Sequence, residues 1–278
     1  MSGLFQKKEK LHREPVRWKK ELKLAPGYLI LTLWILFTLA LLGWVLLASF
    51  STTKEIFSNK LLDSGLHIEN YVKAWVNSNV STIFFNSLFY AAVSCTLLIL
   101  ICAPAAYALS RFDFVCNKLI QSSLVASMGV PVVMIVLPLF AVVAGLNILN
   151  NVSANRATLI FLYIGINVPY TTIFLTTFFA NLSRAFMLPM AQPGIVTVTI
   201  FNFINIWNEY FISLIFGNSD KVRPVAVGLY SMINSMKYTG DWAGMFSAVV
   251  IVFLPTFILY IFLSEKIIAG VTGGGVKG

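Results

Sequence analysis

Six long runs of this 278-residue chain are almost free of charge, and that restricts what it can fold into. They cover about 28–50, 86–108, 122–143, 157–179, 195–216 and 245–263. Together they hold one acid, Glu209, and no Lys, Arg or His. Each run is about long enough to cross a hydrocarbon layer as a helix, which takes roughly 20 residues. Backbone polar groups in hydrocarbon must be paired within their own segment, so such runs become helices. The fold expected is all-α: a polytopic membrane protein with six transmembrane helices. Composition agrees, with 58% hydrophobic and 11% charged residues and a mean hydropathy of +0.82. A soluble chain of this size needs far more polar surface.

Three parts are expected: a basic tail over 1–27, a six-span membrane domain over 28–263 and a Gly-rich tail over 264–278. The first tail carries eight Lys/Arg against Glu9, Glu14 and Glu21. It reads as a solvated, membrane-proximal segment, with no case for nucleic-acid binding. Its length, and that of the apolar run after it, argue against a cleaved signal peptide. Six crossings put both tails on one side. With the tails inside, the inner segments hold 13 Lys/Arg and the outer loops 7. Five acids accompany those seven: Glu55, Asp63, Glu69, Asp220 and Asp241. The excess of basic residues belongs in the cytoplasm, and so do both termini.

The stretch Leu188–Phe216 concentrates the polar chemistry. It opens Leu188-Pro189-Met190-Ala191-Gln192-Pro193-Gly194, where two prolines and a glycine predict a break before a helix over 195–216. At about 100° per residue, Asn202, Asn205 and Glu209 fall within roughly 60° of one another. They form one stripe, with Phe203 and Trp207 well off it. Intramembrane polar groups line a water-filled path or the bundle interior, or hold helices together by hydrogen bonds. Both readings stand for the stripe. Glu209 has a second alternative of its own, capping a neighbouring break in the backbone. In the fourth run, Gly165-Ile166-Asn167-Val168-Pro169-Tyr170-Thr171-Thr172 predicts an unwound or bent segment. Asn167 and Tyr170 are placed on the same path. Pro131 and Pro138 predict kinks in the third run.

Other chemistries lack their residues. Cys95, Cys102 and Cys116 are odd in number and have no metal-ligand spacing, so neither a disulfide framework nor a zinc site is expected. With no intramembrane base and no second acid there is no catalytic constellation. No cofactor is expected. No phosphate-binding GxxxxGK[ST] loop occurs, so any ATP-driven work falls to another subunit. A stand-alone channel or ion-coupled carrier is the rival reading. One carboxylate and no visible repeat weaken it.

Several motifs taken together are specific. They are Leu188–Ile195, Ile200-Phe201-Asn202-Phe203-Ile204, Trp207-Asn208-Glu209-Tyr210, Ala106–Phe112, Gly240-Asp241-Trp242 and the closing Ile268–Gly278. In them the chain resembles the inner-membrane permease subunits of bacterial ABC importers, in the carbohydrate-uptake branch of the maltose-type second permease. The resemblance covers most of the chain from about residue 68. It implies the type I importer permease fold and a multi-pass place in the bacterial inner membrane. The implied partners are a second, related permease, two cytoplasmic ATPase subunits and an extracytoplasmic sugar-binding protein. The implied cargo is a sugar, crossing by alternating access past Asn202, Asn205 and Glu209.

The chain departs from that pattern at one place. The family's coupling loop has a Glu-Ala-Ala pattern and an Asp-Gly ahead of its Leu-Pro, and it docks on the ATPase. Here only the later half remains, at Leu188, Pro189, Pro193 and Gly194. The segment 180–187 has no acid and no glycine. Either the loop is truly lost, or residues are missing between Leu182 and Met187. The second case would leave one neighbouring Cα pair there clearly beyond about 3.8 Å.

Overall fold

In the computed structural model the backbone is described for residues 18–76, 78–182 and 187–273; side chains are described over the same ranges, except 18–22, 187–190, 236–237 and 265–273. The Cα spacings across 183–186 therefore lie outside the described residues, as do the tail 1–17 and the closing 274–278. The chain divides into two compact units, Met1–Val45 and Leu46–Gly278. Among the described residues the first holds the greater part of helix α1 (Trp18–Ser49), whose most apolar window has no buried residue.

The second unit is helical, with no strand among its described residues. The long helices α4 (Val80–Arg111) and α7 (Val152–Ala180) form its core. Cys95, Leu98 and Cys102 of α4 are buried with Leu159, Tyr163 and Leu175 of α7. Helix α8 (Met187–Trp207) joins this core, and α11 (Trp242–Gly273) packs on α8. Hydrogen bonds fix the direction of each element. Asn86 and Tyr90 near the start of α4, and Arg156 near the start of α7, bind the carbonyls of Lys221, Val222 and Arg223. At the opposite end Arg111 closes α4 by donating to the carbonyls of Phe179 (2.6 Å) and Leu182 (2.7 Å). Helices α4 and α7 are thus parallel, and the segment 112–151 returns the chain between them.

That return differs from the expected single kinked span. It is a pair, α5 (Asn117–Met128) and α6 (Val132–Gly145), bent by 93° at Gly129-Val130-Pro131. Pro131 cannot donate and Gly129 ends α5, so the break falls ahead of the proline. Pro138 is absorbed inside α6. Four described helices are long and apolar enough to cross a membrane, or five if the bent pair is one span.

Two other expectations are corrected. The fourth run carries no unwound segment: α7 is helical through Asn167–Thr172, with Pro169 inside it. Asn167 Nδ2 also donates to the Tyr163 carbonyl one turn earlier (2.8 Å). Nor is there a break at 189–194. Helix α8 begins at Met187 and runs through Pro193 and Gly194. Pro189 sits in the first turn, where its missing N–H has no intrahelical partner to lose. The break comes later, at Asn208–Tyr210, before the short α9 (Phe211–Phe216).

The link 50–71, which runs into helix α3 (Glu69–Val76), is a folded cap. Helix α2 (Thr53–Ser58) opens with a capping box, in which Thr52 and Glu55 bond each other's amides. Glu55 also accepts the Ser64 hydroxyl (2.6 Å) and amide (2.5 Å). The Ser64 hydroxyl, and next the Thr52 amide, hold the Glu55 carboxyl at about 2, below its ordinary 4.5. With a depressed folded value, the stabilisation is full above 4.5 and is lost as pH falls toward 2. The cap should therefore become protease-sensitive across that window. His67 holds Glu69 down in the same way, so the decisive comparison is with Glu55→Gln. That variant should be sensitive already at neutral pH and respond less to acid. Parallel acid profiles for the two proteins would contradict the assignment.

Candidate functional site

Antiparallel α7 and α8 meet along a polar seam. Asn202 Nδ2 donates to Thr171 Oγ1 (2.9 Å), and that hydroxyl lies 3.2 Å from Asn202 Oδ1. One turn on, Asn205 Nδ2 donates to Asn167 Oδ1 (2.9 Å). Asn167 is one turn from Thr171 on α7, as Asn205 is from Asn202 on α8, so helical spacing alone aligns the two pairs. Helix α8 comes close enough because of Gly194: a Cβ there would overlap the buried Phe178 ring of α7. Trp207 lies off the seam, as its angle predicts. It is buried, stacks on Phe203 and donates to the Val252 carbonyl of α11 (3.2 Å).

Glu209 sits in the break and caps α9. Its carboxylate accepts from the Ile212 amide (2.6 Å), the Ser213 amide (3.0 Å) and the Ser213 hydroxyl (2.6 Å). Ser213 has spent its proton on Glu209, so its oxygen accepts from the Tyr163 hydroxyl of α7. Asn205, Asn167, Tyr163, Ser213 and Glu209 thus form a run of polar groups between the helices. The backbone-cap alternative for Glu209 is what the geometry shows.

Two cavities open on this run. One, of about 260 Å³, is lined by Tyr163, Asn167, Asn205 and Glu209 among apolar residues of α6 and α9. The other, of about 320 Å³, is lined by Tyr170, Phe201, Asn202, Ile204 and Asn205. Asn205 is exposed and belongs to both, whereas Asn202 is 1% exposed. The structure therefore brings Asn167, Tyr170, Asn202, Asn205 and Glu209 to adjoining walls. Amide and hydroxyl groups beside the Tyr170 and Phe201 rings can bond hydroxyls and cover an apolar face.

Tyr163, Thr171 and Ser213 belong to the same network and were not singled out from sequence. Spacing held part of the signal: Tyr163, Asn167 and Thr171 are each four apart and share one face of α7. The coupling-loop remnant lies elsewhere. Leu188 and Pro189 are in the first turn of α8, Pro193 is exposed, and Gly194 is buried at the α7 contact. Among the described residues no group of three or more His, Cys, Asp or Glu could hold a metal ion.

The fold has a solved counterpart in a bacterial ABC transporter involved in importing the acidic polysaccharide alginate. One chain of that structure matches at a TM-score of 0.75 and 19% identity, over 90% of this chain and 98% of that one. No family model matches. Relatives do. A diacetylchitobiose uptake permease, NgcG of Streptomyces coelicolor, is 30% identical over 269 residues, taking in 90% of this chain and 88% of NgcG. A sulfoquinovosyl glycerol permease, SmoH of Agrobacterium fabrum, is 29% identical over 84% of this chain and 87% of its own. The chain belongs to the sugar ABC transporter permease proteins. It is a permease subunit of a binding-protein-dependent sugar importer, a multi-pass inner-membrane protein that is not itself an enzyme. Such permeases work with a partner permease, an ATPase and a binding protein.

The alignments also expose a shortfall. The NgcG alignment runs over 269 positions, yet 90% of 278 residues is about 250, so some 19 positions have no residue in this chain. The same reckoning for SmoH, 255 positions against 84% of 278, leaves about 21.

Proposed function

We propose that the α7–α8 seam lines the sugar path, with Asn205 and Tyr170 in contact with the sugar and Asn167 orienting Asn205. Asn202 locks the two helices through Thr171, and Glu209 holds the break that shapes the wall. The observation that carries this reading is the exposed Asn205 amide, braced by Asn167 at the junction of two cavities. Two neighbours with the same kind of wall, a homologous second permease and this chain, would enclose a full path. Two ATPase subunits drive it.

The reading includes six crossings, counting α5–α6 and α8–α9 as one broken span each, with both termini cytoplasmic. The tails 1–27 and 264–278 then lie inside, flanking the membrane domain 28–263. The parallel α4 and α7, joined by the bent return α5–α6, and α8 running opposite to both, support it, as does the excess of basic residues in the segments read as inner. We place the shortfall of about twenty positions between Leu182 and Met187, where six residues at most connect to α8. That is the position of the family's ATPase-docking loop, so this chain offers the motor only a short link.

Asn205→Ala should raise the apparent KM for uptake about five- to tenfold, the worth of one hydrogen bond, and leave assembly intact. Asn202→Ala should instead weaken assembly, because it strands the buried Thr171. Uptake by Asn205→Ala at the parental KM would remove the seam from the path.

A further inference from the structure

Another polar cavity of the second unit lies away from the seam. It encloses about 510 Å³ and lies between the start of α4, the start of α11 and helix α10 (Val225–Thr239). That volume is within the range of small-molecule sites, about 300–1,000 Å³. Its floor is apolar and tight, with Ile83, Met232 and Met245. Helix α10 crosses α4 there at Gly228, where any Cβ would overlap the Ile83 side chain.

The walls hold polar groups that the fold does not use. Asn79 directly precedes α4, the position from which an Asn side chain commonly bonds the first-turn amides. Here it is left-handed, with φ of 54°, and makes no such bond. Among the described residues the Ser231 hydroxyl also has no hydrogen bond, although it lies on the face of α10 that lines the cavity. Asp241 commits one oxygen, Oδ1, to the Gly244 amide (3.0 Å). Asp220 and Arg223 pair with each other. Among the described lining residues that leaves one uncompensated charge, the Asp241 carboxylate. Hydroxyls, an amide and one carboxylate acceptor suit a ligand rich in hydroxyl donors. The excess negative charge opposes a uronate or sulfonate.

We propose that this cavity is an outer subsite for a neutral sugar, occupied before the sugar reaches the α7–α8 seam. The proposal rests on the orientation and path given above, which put this end of the bundle outside. Asn79 and Ser231 would bond sugar hydroxyls, and Asp241 would accept from a third.

The test uses the complete importer in proteoliposomes, with this chain, its partner permease, ATPase and binding protein. The probes are radiolabelled cellobiose, maltose and diacetylchitobiose as neutral disaccharides, with cellobiouronic acid as an acidic competitor. Asn79→Gly, which keeps the left-handed backbone unstrained, is combined with Ser231→Ala. For whichever neutral probe is taken up, this double variant should raise the apparent KM about five- to tenfold at an unchanged maximal rate. Asp241→Asn, which keeps an acceptor for Gly244, should let the acidic competitor inhibit at least fivefold better. Unchanged melting temperatures show that the variants fold.

An unchanged KM in the double variant, with a raised KM in Asn205→Ala, overturns the subsite and leaves the path standing. An unchanged KM in Asn205→Ala marks failure of the path reading itself. Uptake confined to the acidic disaccharide overturns the neutral-sugar assignment. Loss of binding-protein capture by the double variant, with sugar affinity intact, shows that this face receives a protein, and also overturns it.

Discussion

Glu209→Leu is expected to cut sugar uptake at least tenfold and to lower the melting temperature of the assembled permease. The substitution strands the amides of Ile212 and Ser213 and the Ser213 hydroxyl at a helix break. Ile212 and Ser213 are buried, and each buried donor left unpaired costs about 1–3 kcal/mol. Glu209→Gln separates two roles. It keeps an acceptor for α9 but removes the charge, so a capping role predicts uptake within about threefold of the parent. Equal damage from Gln and Leu would make the charge itself the functional element. A normal uptake rate for Glu209→Leu would remove both roles.

Gly194→Val should have the next largest effect. A side chain at 194 meets the Phe178 ring, which is 6% exposed and has little room to turn. Overpacking a tight core costs about 1–3 kcal/mol. The same displacement pulls Asn202 from Thr171 and Asn205 from Asn167. Phe178→Ala should partly rescue the Gly194→Val variant, because the two substitutions share one contact. Additive losses in assembled yield and uptake would place the damage somewhere other than the α7–α8 approach.

The helices were legible in the sequence, and their irregularities less so. Runs without charge predict helices because hydrocarbon leaves the backbone no other partner. The polar stripe was visible in the angles of Asn202, Asn205 and Glu209. Whether proline breaks a helix was not visible, because neighbours decide it. Pro169 stays inside α7, and Pro189 costs little in a first turn. Pro131, next to Gly129 and Val130, sits at a bend of 93°. Sequence angles also treated Glu209 as the next member of a continuous helix. The carboxylate instead turned back on its own backbone, a local competition that periodicity does not register. Thr171 and Tyr163 were missed because hydroxyls on an apolar helix look unremarkable until a partner amide or serine is brought opposite.

The central claim is a sugar permease powered through other subunits, and reconstitution tests it most directly. Proteoliposomes would carry this chain with its partner permease and ATPase, beside a version with a relative's loop of about twenty residues restored after Leu182. Uptake of a labelled neutral disaccharide is measured with ATP inside and binding protein outside, and again with only a proton or sodium gradient. The account predicts uptake that requires both ATP and the binding protein, is faster in the loop-restored version, and is absent with a gradient alone. Gradient-driven uptake by this chain without any ATPase would contradict it and make the protein a carrier.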